Sequence, residues 1–134
     1  MAEFTAKHRF ARISPRKARL LMNLIRGRDV DDAITLLRFS KQRASGMIEK
    51  VVRSAVANAT EQEVAARRNA LFVAKAWVDP GPIIKRFQPK DRGKAYPINK
   101  RTSHLVVTID QREDGEKAPQ PFKSVGARHG KARQ

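Results

Sequence analysis

The spacing of apolar and polar positions divides the chain into elements before any motif is considered. Phe4-Thr5-Ala6-Lys7-His8-Arg9-Phe10 alternates apolar or small residues with polar ones, which predicts a half-buried strand with Lys7 and Arg9 outward. Ser14-Pro15 then reads as a helix start: Ser14 is a capping residue, and Pro15 suits the first helical position, where a missing N–H costs nothing. Ala18, Leu21, Met22 and Ile25 follow at helical spacing, while Arg16, Lys17, Arg19 and Arg26 lie off that face and Gly27 marks the stop. A second helix starts at Asp29, with Asp31 and Asp32 in its first turn, where the helix dipole favours anions. Its buried stripe is Val30, Ala33, Ile34 and Leu37. A third, longer helix is predicted from a cap at Ser40 to about Ala59, with Ala44, Ile48, Val51, Val52, Ala55, Val56 and Ala59 inward.

After Arg67-Arg68-Asn69 the period changes. Leu71 to Val78 is rich in β-branched and aromatic residues and predicts a strand, whose mate is Ser103 to Ile109. Between them lies a basic stretch with Pro80, Pro82, Pro89, Pro97, Gly81 and Gly93. Long structureless loops are uncommon in compact domains, so the stretch predicts a two-stranded ribbon at about residues 79–103 that turns between Pro89 and Gly93. At ~3.3 Å per residue its reach is roughly 40 Å. A bare ribbon of this composition is marginal alone and needs a partner to order it. Residues 111–134 carry Pro, Gly, Gln, Lys and Arg without periodicity, which describes a basic tail, disordered when free. The expected architecture is α+β: three helices packed on a small antiparallel three-stranded sheet with a long protruding β-hairpin, one globular unit over 1–110, and the tail.

Charge sharpens this picture. The 134 residues hold 29 Lys and Arg against 13 Asp and Glu, a net charge of +16. Residues 1–28 contribute +7, residues 29–79 only +1, residues 80–110 +5 and residues 111–134 +3. The middle is an ordinary soluble body, and the excess belongs to its extensions, so a polyanion, and nucleic acid above all, is the expected partner. The absence of cysteine excludes disulfides, thiolate zinc sites and cysteine nucleophiles. The longest uninterrupted apolar run, Ala70 to Ala74, is too short to span a bilayer. His8, His104 and His129 lack paired-ligand spacing, so no metal site is expected. The segment from Gly126 to Lys131 is one residue short of a phosphate loop and lacks the following Ser or Thr. With no catalytic triad or nucleophile elbow either, the chain reads as a non-enzyme with no cofactor and no small-molecule substrate.

Two basic clusters carry the positive signal. Lys7, Arg9, Arg12, Arg16, Lys17 and Arg19 lack local acidic counterparts, which favours phosphate contacts over a merely solvated face. The ribbon cluster is Lys85, Arg86, Lys90, Arg92, Lys94, Lys100 and Arg101, opposed only by Asp91 and Asp110. Gly93 lets backbone approach a partner, and Phe87 and Tyr96 offer rings for stacking on bases.

Ala11-Arg12-Ile13-Ser14-Pro15-Arg16-Lys17-Ala18-Arg19, leading to Ile25-Arg26-Gly27, resembles the start of the bacterial large-ribosomal-subunit protein twenty-two family. Ser54 to Ala59, Gly81-Pro82, Lys85-Arg86, Pro89, Gly93 and Ile98-Asn99-Lys100-Arg101-Thr102-Ser103-His104 are similar to it in the same order, over about residues 6–110. The resemblance implies a small α+β body on the large-subunit ribosomal RNA of the cytoplasmic ribosome. It further implies neighbouring ribosomal proteins as partners, a role in assembly, and a hairpin lining the peptide exit tunnel near the macrolide site. By this resemblance Arg12, Ser14, Arg16, Lys17 and Arg19 contact RNA from the body. Lys85, Arg86, Lys90, Arg92 and Lys94 do so along the ribbon, and Lys100, Arg101, Thr102, Ser103 and His104 at its base. Phe87, Gln88, Pro89, Lys90, Asp91 and Arg92 form the tip facing the nascent peptide. Where the family commonly reads Pro-Arg-Ala-x-Gly-Arg, this chain has Pro89-Lys90-Asp91-Arg92-Gly93-Lys94, and Asp91 is expected to pair with a neighbouring cation and shape the turn.

Two other classes fit the charge less well. A DNA-bending protein with a β-ribbon arm usually presents paired arms from a dimer, and no second dimer face stands out. A membrane-active cationic protein needs uniformly basic helix faces, which the +1 of residues 29–79 does not supply.

Overall fold

A computed structural model of the chain describes residues 3–62 and 71–112. Its elements among the described residues are β1 (Phe4–Ala11), α1 (Pro15–Ile25), α2 (Val30–Phe39), α3 (Arg43–Gln62), β2 (Leu71–Pro80), β3 (Ile84–Pro89), β4 (Ala95–Lys100) and β5 (Ser103–Gln111), with a 3-10 turn at Asp91–Gly93. The expected tail, with His129 and the glycine-containing segment 126–131, lies outside the described residues.

β5 is the central strand of an antiparallel sheet ordered β1-β5-β2. Its composition fits that place, because Leu105, Val107 and Ile109 point to the helices while Val106 and Thr108 are buried on the other face between two flanking strands. Among the described residues the helices cover only the first face. Leu21, Met22 and Ile25 of α1, Val30 and Leu37 of α2, and Ile48 and Val52 of α3 join Leu71, Val73, Leu105, Val107 and Ile109 in one core. Each such side chain contributes about 1.5–3 kcal/mol of burial, and none comes from the hairpin. The body therefore holds itself together without it.

α3 starts at Arg43, not at Ser40 as the pattern suggested. Ser40 closes α2 instead, its N–H bonding the Leu36 carbonyl at 3.1 Å. The Ser45 hydroxyl then donates to the Gln42 carbonyl at 2.7 Å and approaches that of Ser40 at 3.2 Å, satisfying a turn between the two helices. Ser14 occupies the N-cap position of α1 as expected, but its hydroxyl makes no capping bond.

The exposed edge of β2 is closed by the segment that follows α1. Gly27 N–H donates to the Val73 carbonyl at 2.8 Å, and Val73 N–H to the Arg28 carbonyl at 2.9 Å. Arg19 donates to the Val78 carbonyl at 3.2 Å and Arg26 to that of Ala76. One arginine of α1 and the arginine that caps its end thus satisfy edge carbonyls that would otherwise template strand addition.

β3 and β4 pair through six positions, from Ile84 opposite Lys100 to Pro89 opposite Ala95, as a separate two-stranded sheet. The expected ribbon is present, but it does not continue the ladder of β2 and β5 without a break. At its root Gly81 N–H donates to the Thr102 carbonyl at 2.9 Å, and the Thr102 hydroxyl donates to the Pro82 carbonyl at 2.6 Å. A Cβ on Gly81 would lie 2.5 Å from that hydroxyl oxygen and 3.2 Å from the Thr102 backbone. The pinch replaces ladder bonds that Pro82, lacking an N–H, cannot supply. At the tip Arg92 and Gly93 have φ of 59° and 69°. Lys90 N–H donates to the Lys94 carbonyl at 2.9 Å, and Lys94 N–H to that of Asp91 at 3.4 Å. The expected ion pair of Asp91 does not form among the described residues; its contribution to the turn is this backbone carbonyl.

Candidate nucleic-acid interface

The amino ends of α1 and α3 and the root of the hairpin enclose one open cleft of about 560 Å³. It is lined by Arg12, Ile13, Ser14, Lys17, Arg43, Ile84, Arg86, Asn99, Lys100 and Arg101. Six of these ten are cations and none is acidic, so their charge is uncompensated within the cleft, an arrangement suited to a row of phosphates. Ile13 and Ile84 shape the walls, while Asn99 and the Ser14 hydroxyl add neutral hydrogen-bonding groups. The first turn of α1 holds no acidic residue, and its positive dipole end adjoins Ser14 and Lys17 at the cleft. Arginines are the larger share of the cations, and each has a planar fork suited to two phosphate oxygens at once.

The fold therefore gathers Arg12, Ser14, Lys17, Arg86, Lys100 and Arg101, which come from distant parts of the chain. It places the other expected residues elsewhere. Arg16 is exposed beside the cleft but does not line it, and Lys85 stands on the opposite face of β3 from Ile84 and Arg86. Arg19 is engaged at the β2 edge. Thr102 and Ser103 do not lie on the basic surface: they are 3% and 0% exposed, and Thr102 holds the root pinch while the Ser103 hydroxyl has no partner among the described residues. Lys7 and Arg9 are exposed on β1, and His104 sits beside Phe10, whose N–H donates to its Nδ1 at 3.0 Å.

The tip residues Phe87, Gln88, Pro89, Lys90, Asp91, Arg92, Gly93 and Lys94 are exposed at the far end of the hairpin. Tyr96 is half-exposed with Lys90 Nζ 5.7 Å from its ring centre, so one expected stacking ring already carries a cation. Phe87 is 72% exposed and has no ring contact among the described residues. Sequence reasoning missed Arg43 and Asn99. Arg43 sits in a middle segment that is nearly neutral overall, and only the packing of α3 brings it to the hairpin root. No helix among the described residues is long and apolar enough to cross a membrane.

Comparison with known proteins matches residues 6–110 to the family described as ribosomal protein L22p/L17e. A protein named large ribosomal subunit protein uL22 from Thermoanaerobacter sp. (strain X514) is 50% identical over 111 residues, covering 83% of this chain and 99% of that one. Its namesake in Lacticaseibacillus casei (strain BL23) is 49% identical over 109 residues, covering 81% and 92%. That of Carboxydothermus hydrogenoformans is 45% identical over 113 residues, covering 84% and 99%.

Proposed function

The chain belongs to the ribosomal protein L22p/L17e family, and from that premise we propose that its cleft grips large-subunit ribosomal RNA while its hairpin lines the nascent-peptide tunnel. Membership makes the chain a structural constituent of the large ribosomal subunit that serves translation and is not an enzyme. The cleft is the observation that carries the finer reading. Three elements converge there on six cations with no acid among them, an arrangement that exchanges counterions for phosphates. RNA bound there touches both body and hairpin root, which orders a ribbon too poor in apolar contacts to hold a fixed direction alone. Residues 1–110 act in this reading as the RNA-binding unit, assisted by the basic segment 111–134 and by neighbouring ribosomal proteins.

The hairpin suits a wall lined by RNA. Lys85, Arg86, Lys90, Arg92 and Lys94 present cations along its length, and Arg92 in its left-handed conformation stands at the turn. The nascent peptide is the partner of the tip. Large subunits carrying a photoreactive side chain in place of Arg92, sedimented through a high-salt cushion, test both parts. The chain is expected to stay with the particle and crosslink to ribosomal RNA, and in translating particles to the nascent chain. Release from the particle, or crosslinks to external proteins alone, contradicts the proposal.

A further inference from the structure

Apart from Arg92 at the hairpin tip, one non-glycine residue with a left-handed backbone lies outside the cleft, the pinch and the core among the described residues. His8 lies opposite Leu105 and Ala11 opposite Ser103, so β1 carries one extra residue in a bulge against β5. Within it Phe10 has φ 57°, in the left-handed region that a bulge normally assigns to glycine. Burial does not explain a phenylalanine there, because its side of the sheet carries no helix among the described residues and the residue is 54% exposed. The surroundings hold it in that position: its N–H donates to His104 Nδ1 at 3.0 Å, and the two rings meet edge to face at 4.9 Å and 86°. With Nδ1 accepting, the neutral imidazole carries its proton on Nε2, leaving a donor beside the ring. The Arg9 guanidinium lies 5.5 Å from the Phe10 ring centre. The acid opposite His104, Asp79, accepts the Trp77 indole N–H at 3.1 Å.

We infer that Phe10, His104 and Arg9 form a stacking seat for one unpaired nucleobase of the large-subunit RNA, an inference that rests on the proposal that this chain binds that RNA. The Arg9 guanidinium over the Phe10 ring and the exposed part of that ring together offer a base a stacking surface that carries a cation, and the Nε2–H reaches a base-edge or sugar acceptor. An apolar peptide is the poorer occupant, since a single exposed ring with the Arg9 guanidinium over it offers no apolar groove. The bulge then has a purpose: extended backbone at position 10 would continue the alternation of β1 and move the ring off this seat.

The test compares binding of the full chain to a short single-stranded oligoribonucleotide of mixed sequence and to the same strand in a duplex. Phe10→Leu is expected to weaken single-strand binding about tenfold to a hundredfold and leave duplex binding unchanged, as loss of one base stack requires. Phe10→Tyr should retain the preference. Phe10→Gly, which suits the left-handed backbone, should fold and lose it, so instability cannot mimic the result. Equal losses on both RNAs, or no loss with Leu or Gly, overturn the inference. Arg12→Ala and Lys17→Ala should weaken both RNAs; if they do not while Phe10→Leu discriminates, the cleft reading fails and the seat stands. In assembled large subunits, Phe10→p-benzoylphenylalanine should crosslink to RNA, and crosslinking to protein alone overturns the seat.

Discussion

Gly81 and Thr102 decide how the hairpin is attached. No side chain fits at position 81, because a Cβ there meets the Thr102 hydroxyl oxygen at 2.5 Å and its backbone at 3.2 Å. Gly81→Ala is expected to push Thr102 off its bond to the Pro82 carbonyl and lower unfolding free energy by about 1–3 kcal/mol, the usual cost of overpacking. Thermal unfolding of the free chain measures this, and an unchanged midpoint would show that the pinch yields without cost. At this scale the sequence exposed charge better than position. Arg12, Lys17, Arg86, Lys100 and Arg101 were legible as cations lacking acidic neighbours, and all line the cleft. The resemblance carried Thr102 and Ser103 over as contacts of the same surface, yet both side chains are buried, Thr102 in the root pinch and Ser103 at the start of β5. Asp91 was expected in an ion pair, whereas the turn uses its carbonyl.

Among the elements, helices and strands were visible because their apolar periods are unambiguous. Ala18, Leu21, Met22 and Ile25 are the buried residues of α1, as their spacing required. Boundaries were less legible where one residue suits two roles: Ser40 is a good start for α3 by type but ends α2 in fact. The hairpin was recognisable from prolines and glycines between two strand patterns, while the break at its root depends on a hydrogen bond between Gly81 and Thr102 that no local pattern encodes. The separation of hairpin from core has a thermodynamic consequence. Deleting residues 82–98 removes no member of the apolar core, so the body is expected to unfold cooperatively with its midpoint shifted by only a few degrees. Calorimetry checks this, and a broad, non-cooperative transition would mean that the ribbon stabilises the body. In large subunits the same deletion is expected to alter particle function, because it removes the hairpin that we propose lines the tunnel.

Across the whole molecule, the +16 charge is a statement about partners more than about folding. Acidic residues concentrate on the helical body: Glu49 pairs with Arg38 at 3.0 Å and Arg53 at 2.6 Å, and Asp29 with Arg112 at 2.8 Å. The cleft, by contrast, has no acidic lining residue. Composition pointed to a polyanion as the partner, and the resemblance pointed to ribosomal RNA. The arrangement of α1, α3 and the hairpin root as one receptor was hidden, because it joins positions 12, 43 and 100 and no sequence window spans them. The most direct measurement uses that hidden link. Binding of the full chain to large-subunit ribosomal RNA should be followed against salt for the native sequence, for Arg12→Ala/Arg43→Ala/Lys100→Ala, and for Lys50→Ala, which is exposed on α3 and does not line the cleft. Each lost phosphate contact lowers the slope of log K against log salt by about 0.7–0.9, so the triple variant should lose about two units or more while Lys50→Ala keeps the native slope. A triple variant with the native slope would mean that the cleft does not hold the RNA.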